Sequence, residues 1–221
     1  MAEMIEEIDP EQVRVAMAGV RDEIARACER AGRDPEGVQV VTASKYVGVE
    51  DMGLLADAGI GLVGENRAQD LVAKAEAWPG RFEFDFIGHL QSRKVKQVVP
   101  LVRLIHSVAS DSVLAQLERH GTPETRILVQ VNVAGEEAKD GVAPGELGAF
   151  IERSPVPVVG LATMPPFAED PEESRPWFAR LAELGREHGL SELSMGTTQD
   201  FPVAVEEGAT LVRVGSRILR P

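Results

Sequence analysis

Short apolar runs alternate with helical patterns along almost the whole chain, and this alternation restricts the possible folds more than any other feature. The eight candidate strands span 38–45, 60–64, 84–88, 103–107, 126–133, 156–163, 192–195 and 210–215. The seven candidate helices between them span 49–58, 66–77, 91–99, 111–119, 144–152, 172–189 and 199–207. Strands that alternate with helices form parallel sheets, and eight such strands can close into a barrel. The sequence therefore predicts an α/β fold, a single TIM-type (β/α)8 barrel.

An extra helix is predicted over residues 10–31, ahead of the first strand. Asp9 is a favourable N-cap, Pro10 suits the first helical position, and apolar residues recur at three- and four-residue steps until Gly32. We expect this helix to cover a wall of the barrel. Because no linker or change of composition divides the chain, residues 1–221 are expected to form one domain.

The composition excludes several classes of protein. Hydrophobic residues make up 43% of the chain and charged residues 27%, as in ordinary globular domains. The net charge of −13 should repel nucleic acids and acidic membranes, so neither is an expected partner. An anion that this chain binds must be held by local donors, such as backbone N–H groups or a suitably placed arginine.

Cysteine usage and the N-terminus indicate a cytoplasmic protein. Cys28 is the only cysteine, so no intramolecular disulfide can form, and we interpret it as a small core residue. Residues 1–7 are acidic where a signal peptide would be basic, and no apolar run reaches membrane-spanning length. The four histidines lack metal-ligand spacing, and no broad unpaired apolar stripe indicates a dimer, so we expect a metal-free monomer.

Lys45 ends the first predicted strand, which is where a barrel enzyme places reactive groups. Partial removal from water favours the uncharged, nucleophilic amine, which can form a Schiff base with an aldehyde. A lysine that closes a strand is more often an ordinary solvated end, because its stem can reach water. Whether Lys45 is functional therefore depends on the residues around it.

Polar and glycine residues follow several strands, on what would be a single rim of a barrel. The segments are 64–67 after strand two, 88–94 after strand three, Asn132 in strand five, 194–198 after strand seven and 215–216 after strand eight. The loops after strands seven and eight usually bind phosphate in such barrels. Arg213 lies between two valines in the last strand, so it points either into the barrel, where it needs a partner, or outward to a helix.

The chain resembles the YggS/PROSC family of pyridoxal 5′-phosphate (PLP) homeostasis proteins over nearly its whole length. The matching blocks, in order, are 41–45 (Val-Thr-Ala-Ser-Lys), 64–66 (Gly-Glu-Asn), 86–94 (Phe-Ile-Gly-His-Leu-Gln-Ser-Arg-Lys), 130–133 (Gln-Val-Asn-Val), 139–141 (Lys-Asp-Gly), 160–164 (Gly-Leu-Ala-Thr-Met), 194–196 (Ser-Met-Gly) and 212–216 (Val-Arg-Val-Gly-Ser).

This resemblance implies a barrel like the N-terminal domain of alanine racemase, with PLP as cofactor. It implies that Lys45 holds PLP as a Schiff base, that Asn66 lies near the ring and that Arg213 faces the pyridine nitrogen. The phosphate would be held by Thr198, Gly215 and Ser216, with Met195 and Gly196 lining the same loop.

An arginine beside the pyridine nitrogen has a chemical consequence. A guanidinium only donates hydrogen bonds and does not protonate the ring, so the cofactor is a poor electron sink. A PLP carrier, with PLP-dependent apo-enzymes as candidate recipients, fits this better than an efficient enzyme. The alternatives are a PLP-dependent racemase or related amino-acid-metabolising enzyme and, ranked lower, a cofactor-free Schiff-base aldolase.

The chain departs from the family pattern at several positions. Residues 46–48 (Tyr-Val-Gly) stand where Thr-Lys-Pro is common, Asp85 where a histidine is frequent, and Arg93 where an asparagine is usual. Thr197 and Thr198 replace Met-Ser, so either threonine could supply the hydroxyl, and 217–221 replaces Ala-Ile-Phe-Gly. Because of these departures, the resemblance does not predict which contacts form at the lip of the pocket.

Overall fold

Eight parallel strands close into a barrel in the computed structural model, which describes residues 5, 7–136 and 140–220. Each strand pairs with its neighbours in the chain, and the first pairs with the last, so the predicted barrel is confirmed. Lys139 and Pro221, which belong to two of the segments compared above, lie outside the described residues. The strands are β1 (Gln39–Ala43), β2 (Leu62–Glu65), β3 (Glu83–Phe86), β4 (Leu104–Val108), β5 (Ile127–Gln130), β6 (Val158–Ala162), β7 (Glu192–Thr197) and β8 (Leu211–Val214).

Helices follow the strands and surround the barrel. The α-helices are α1 (Pro10–Ala31), α2 (Met52–Asp57), α3 (Ala68–Ala77), α4 (Val95–Val98), α5 (Asp111–His120), α6 (Leu147–Glu152), α7 (Arg175–Glu187), α8 (Phe201–Glu206) and α9 (Ser216–Leu219). Three of the predicted helices begin as short 3-10 turns, at Ser92–Lys94, Pro144–Glu146 and Pro171–Ser174. None of these α-helices is long and apolar enough to cross a bilayer.

The N-terminal helix begins and ends where the sequence predicts. The Asp9 carboxylate accepts a hydrogen bond from the Glu11 N–H at 2.8 Å, and Gly32 adopts φ 65° at the end of the helix. A left-handed cap of this kind is suited to glycine. The helix packs against α8 and α9, so it covers the wall next to the last strand, as expected. Cys28 is fully buried there, which confirms its interpretation as a core residue.

Two separate apolar clusters stabilise the barrel. The larger fills the space between strands and helices. The smaller lies inside the barrel and consists of Val41, Leu104, Leu128, Ala162 and Leu211. The small size of the inner cluster leaves room for buried polar side chains in the barrel, and these lie below the cavity described next.

Candidate functional site

A cavity of about 510 Å³ opens at the carboxyl ends of the strands. Six of the eight residues predicted to bind the cofactor line it, namely Lys45, Asn66, Thr198, Arg213, Gly215 and Ser216. These residues are far apart in the sequence, and the parallel barrel brings them together because all of them lie at or beyond the carboxyl ends of their strands.

Lys45 lies two residues beyond β1, in a turn rather than in the strand. Its side chain is half-buried, and Nζ lies 4.8 Å from the centroid of the Tyr46 ring. Arg220 approaches the same ring, with its Cζ 5.7 Å from the centroid. Two departures from the family pattern, Tyr46 and the C-terminal segment, are therefore in contact with each other beside the amine.

A buried ion pair fixes the turn that carries Lys45. The Lys74 ammonium contacts the Glu65 carboxylate and donates a hydrogen bond to the Ser44 carbonyl at 2.8 Å. The Ser44 hydroxyl donates to Glu65 Oε1 at 2.7 Å, and the Ser44 N–H donates to the Gly64 carbonyl at 3.1 Å. Lys74 and Glu65 are 2% and 0% exposed, so this pair is shielded from water. Ser44, the residue before Lys45, is consequently held through its carbonyl, its hydroxyl and its N–H.

Asn66 is positioned by its backbone. A Cβ on Gly88 would lie 2.2 Å from the Asn66 carbonyl oxygen, so only glycine permits this close approach. The neighbouring Ile87 N–H donates to the Glu65 carbonyl at 2.9 Å. The amide side chain of Asn66 lines the cavity next to Lys45.

Arg213 points into the barrel, which resolves the two orientations that its sequence position allowed. Its Nη1 donates to the Ser194 carbonyl at 2.9 Å and also to the Ser194 hydroxyl, and its Nη2 donates to the Thr163 carbonyl at 2.8 Å. Among the described residues, Nε has no acceptor. Burial lowers the pKa of Arg213 to about 10, so the guanidinium is charged at neutral pH. It therefore offers a charged N–H donor to the cavity.

A chain of buried polar groups continues from Arg213 towards the opposite end of the barrel. Ser194 Oγ lies 2.8 Å from His106 Nδ1, and His106 Nε2 lies 3.1 Å from Asp85 Oδ2. Arg103 donates to both carboxylate oxygens of Asp85, at 3.0 and 2.8 Å. Asp85, one of the departures from the family pattern, thus lies inside the barrel and not at the lip of the pocket.

The pKa values of this chain follow from burial and from hydrogen bonding. Burial lowers the pKa of His106, although its hydrogen bond to Asp85 opposes the effect. Burial alone would raise the pKa of Asp85, but hydrogen bonds from His106 and Arg103 outweigh it and the pKa is lowered. At neutral pH the His106 imidazole is therefore neutral, and it lies between the ionised Asp85 carboxylate and the Ser194 hydroxyl.

The loops after β7 and β8 provide hydroxyl groups on the other side of the cavity. The Thr197 hydroxyl donates to Asp200 Oδ1 at 3.1 Å, whereas the Thr198 hydroxyl accepts from the Gly215 N–H at 3.2 Å. The hydrogen of the Thr198 hydroxyl is therefore still available, which favours Thr198 over Thr197 as a donor to a ligand. Ser216 is exposed at the start of α9 and lines the same wall.

Met195 and Gly196 do not line this cavity. The Met195 side chain is fully buried in the apolar layer between strands and helices. Gly196 adopts φ 88°, and a Cβ there would lie 2.6 Å from the Cβ of Ala204 on α8. Gly196 thus allows α8 to pack closely against the end of β7, and it acts on the cavity only through the loop that follows.

The rim contains a titratable pair that the sequence did not suggest. His89 Nδ1 lies 2.8 Å from Asp140 Oδ2, and both side chains are 62% exposed. Gln130 donates to the Asp140 carbonyl at 2.9 Å and also lines the cavity. Strand alternation could have indicated Gln130, but the approach of Asp140 depends on a loop whose path no local pattern predicts. Arg93 lies outside this cavity, along a neighbouring one of about 470 Å³ that shares His89.

Comparisons with known proteins identify the class of this barrel. Diaminopimelate decarboxylase from M. jannaschi matches 96% of this chain and 60% of its own with a TM-score of 0.70 at 15% identity, which shows the fold alone. That enzyme therefore shares the barrel fold of this chain. The structure of PipY from Synechococcus elongatus with PLP bound is more similar, with a TM-score of 0.77, 28% identity and coverage of 94% and 99% of the two chains.

A curated relative gives a more specific assignment. The pyridoxal phosphate homeostasis protein of Aquifex aeolicus is 40% identical over 214 residues, which cover 90% of this chain and 94% of the relative. The chain belongs to the pyridoxal phosphate homeostasis protein family, as its sequence motifs indicated. No model of a protein family matches the chain.

Proposed function

We propose that this protein binds PLP in the cavity as a Schiff base on Lys45 and takes part in cytoplasmic PLP homeostasis as a single-domain carrier. The observation that carries the proposal is the meeting of an amine, a charged N–H donor and a free hydroxyl hydrogen in one cavity, at Lys45, Arg213 and Thr198. PLP has one group for each of them, namely an aldehyde, a ring nitrogen and a phosphate. The PLP-bound structure of PipY supports PLP as the ligand.

The donor set fits this cofactor. The Nε–H of Arg213 has no acceptor among the described residues, and Arg213 lines the cavity, so this N–H could donate a hydrogen bond to a ring nitrogen there. Thr198, Gly215 and Ser216 lie in the loops after β7 and β8, where barrels of this type hold phosphate. We propose that Asn66 contacts the ring from the Lys45 side, whereas Met195 and Gly196 support this site only by packing.

The residues around the cavity favour binding over rapid chemistry. Bound PLP can stabilise negative charge on a substrate carbon, and it does so best when its ring nitrogen is protonated. Arg213 remains protonated itself and donates without transferring a proton. The cavity therefore retains the cofactor without activating it strongly, which is the behaviour expected of a carrier.

The test is an absorption titration of the purified protein with PLP. Wild type should develop a visible band with a stoichiometry of one per chain, and Lys45→Ala should not. Lys96→Ala, on the short helix α4, is the matched control and should behave as wild type. A protein that develops no band, or a Lys45→Ala variant that develops the same band, would overturn the proposal.

The second candidate is a PLP-dependent racemase or related amino-acid-metabolising enzyme, and the His89–Asp140 pair at the rim favours it. A paired histidine beside the cavity is a candidate general base. Turnover of amino acids by the PLP-loaded protein at about 1 s⁻¹ or faster, lost in His89→Asn, would support the enzyme. Turnover below that range in wild type, with PLP passed to an added apo-enzyme, would support the carrier.

A further inference from the structure

The buried polar chain beneath the cavity has no assigned role. We define it as Arg103, Asp85, His106 and Ser194, ending on Arg213. Arg103 immediately precedes β4 and donates to Gln39 at the start of β1, at the amino end of the barrel. Arg213 lines the cavity at the carboxyl end. The polar chain therefore connects the two ends of the barrel through its interior.

One arrangement of hydrogens satisfies every contact between neighbouring members of the chain. Asp85 is ionised and accepts from Arg103, so it accepts the Nε2–H of His106 as well. The Nδ1 of His106 then has a free lone pair and accepts the Ser194 hydroxyl hydrogen. The Ser194 oxygen in turn accepts from Nη1 of Arg213. The His106 Nε2–H, the Ser194 hydroxyl and Nη1 of Arg213 thus each have an acceptor, whereas the Arg213 Nε–H has none among the described residues.

Protonation of His106 would break this arrangement. Nδ1 would become a donor, and the Ser194 hydroxyl hydrogen would lose its acceptor next to the Arg213 guanidinium. The charged groups that act on His106 are Asp85, Arg103 and Arg213, and burial together with the two arginines opposes a positive charge on the ring. The neutral ring is thus the form that holds Arg213 in the observed orientation.

We propose that Asp85, His106 and Ser194 are positioning residues that orient the Nε–H of Arg213 into the cavity. The proposal rests on the proposed function, in which this N–H meets the PLP ring nitrogen. The chain does not touch the cofactor itself. Its effect passes through the guanidinium, whose Nη1 is held by two oxygens of Ser194 and whose Nη2 is held by the Thr163 carbonyl.

The first experiment uses protein without PLP. Nitrogen-15 NMR should show the Nε2–H tautomer of His106 and a defined Arg213 Nε–H signal. Ser194→Ala and Asp85→Asn should both displace the Arg213 signal, and Asp85→Asn should also change the His106 tautomer. Thr42→Val removes a fully buried hydroxyl without a hydrogen-bond partner among the described residues, so this control should leave both signals unchanged.

The second experiment uses the PLP-loaded protein. Ser194→Ala should bind PLP about tenfold more weakly and shift its visible absorption maximum, while Thr42→Val should do neither. A folded Ser194→Ala variant with the wild-type Arg213 signal and wild-type absorption maximum would overturn the inference. If wild type takes up no PLP, the proposed function fails, and the NMR signals of the unloaded protein decide the positioning role separately.

Discussion

Glu65 and Lys74 form a charged pair in a place where the chain excludes water almost completely. The ammonium contacts Glu65 and the Ser44 carbonyl, so both charges serve to hold the turn that carries Lys45. Glu65 Oε2 is buried without a partner among the described residues, so the carboxylate depends on a single oxygen for its contacts. Removing one member of a buried pair leaves an uncompensated charge, which costs more than the pair itself contributes.

Lys74→Met should therefore lower the free energy of unfolding by about 3 to 5 kcal/mol. The double variant Glu65→Gln with Lys74→Met should lose less, because no buried charge remains. Urea denaturation of wild type, both single variants and the double variant measures the coupling. If the losses of the two single variants simply add in the double variant, the pair does not act as a unit.

His106 predicts a loss of stability in mild acid. Its pKa in the folded protein lies below the ordinary value of 6.5, so below that pH the unfolded chain takes up a proton that the folded protein does not. The free energy of unfolding should then fall as the pH drops below 6.5, by at most about 1.4 kcal/mol per pH unit, until the pH reaches the lowered pKa of folded His106. Asp85 adds a loss only at lower pH, because its pKa is lowered from 3.8.

Urea denaturation at several pH values tests this account. The steep dependence should weaken in His106→Asn and persist in His188→Asn, a histidine exposed at the end of α7. An unchanged slope in His106→Asn would show that another group causes the acid sensitivity.

The sequence predicted single residues to different degrees. Lys45 could be predicted as a site residue, because the local sequence pattern indicates both the end of the strand and the face of the barrel on which it lies. The burial of Lys74 could not be predicted, because a lysine in an amphipathic helix is normally assigned to the surface and only the packing of the helix on the barrel shows otherwise. Ser194 and His106 were likewise missed as a pair, since 88 positions separate them and only barrel closure brings them within 2.8 Å.

Among the elements, the junction of β7 and α8 controls one wall of the cavity. Gly196 allows the close contact between them, and Thr197 and Thr198 follow directly. The type and order of all eight strands were predicted correctly, because hydrophobic period and glycine punctuation are local signals. The predicted ends of the strands were less accurate. β1 stops at Ala43, where its pairing with β2 ends, so Lys45 lies in a turn and not in the strand.

Gly196→Ala should lower the free energy of unfolding by about 1 to 3 kcal/mol more than Gly189→Ala does. Both glycines have positive φ, 88° and 67°, but only at Gly196 would the new Cβ contact other atoms. Thermal or urea denaturation gives the difference, and the affinity for PLP should fall only in Gly196→Ala. Equal losses in the two variants would show that backbone strain alone decides the outcome.

At the scale of the whole molecule, the net charge of −13 opposes the binding of an anionic cofactor. Screening by salt weakens this repulsion, because the Debye length falls from about 30 Å at 0.01 M to about 8 Å at 0.15 M. The rate constant for PLP uptake should therefore rise with salt concentration, as measured by stopped-flow absorbance. A rate constant that falls with salt would show that the basic residues near the rim, Arg67, Arg93 and Lys94, dominate the local field.

The central claim is that Lys45 forms the covalent bond to PLP, and reduction with borohydride followed by peptide mapping tests it most directly. Lys74 is a stringent internal comparison, because it lies beside Lys45 along a smaller adjoining cavity. The account predicts the reduced label on Lys45 alone, with none on Lys74. Label on Lys74 or on any other lysine, or the same amount of label bound by Lys45→Ala as by wild type, would contradict it.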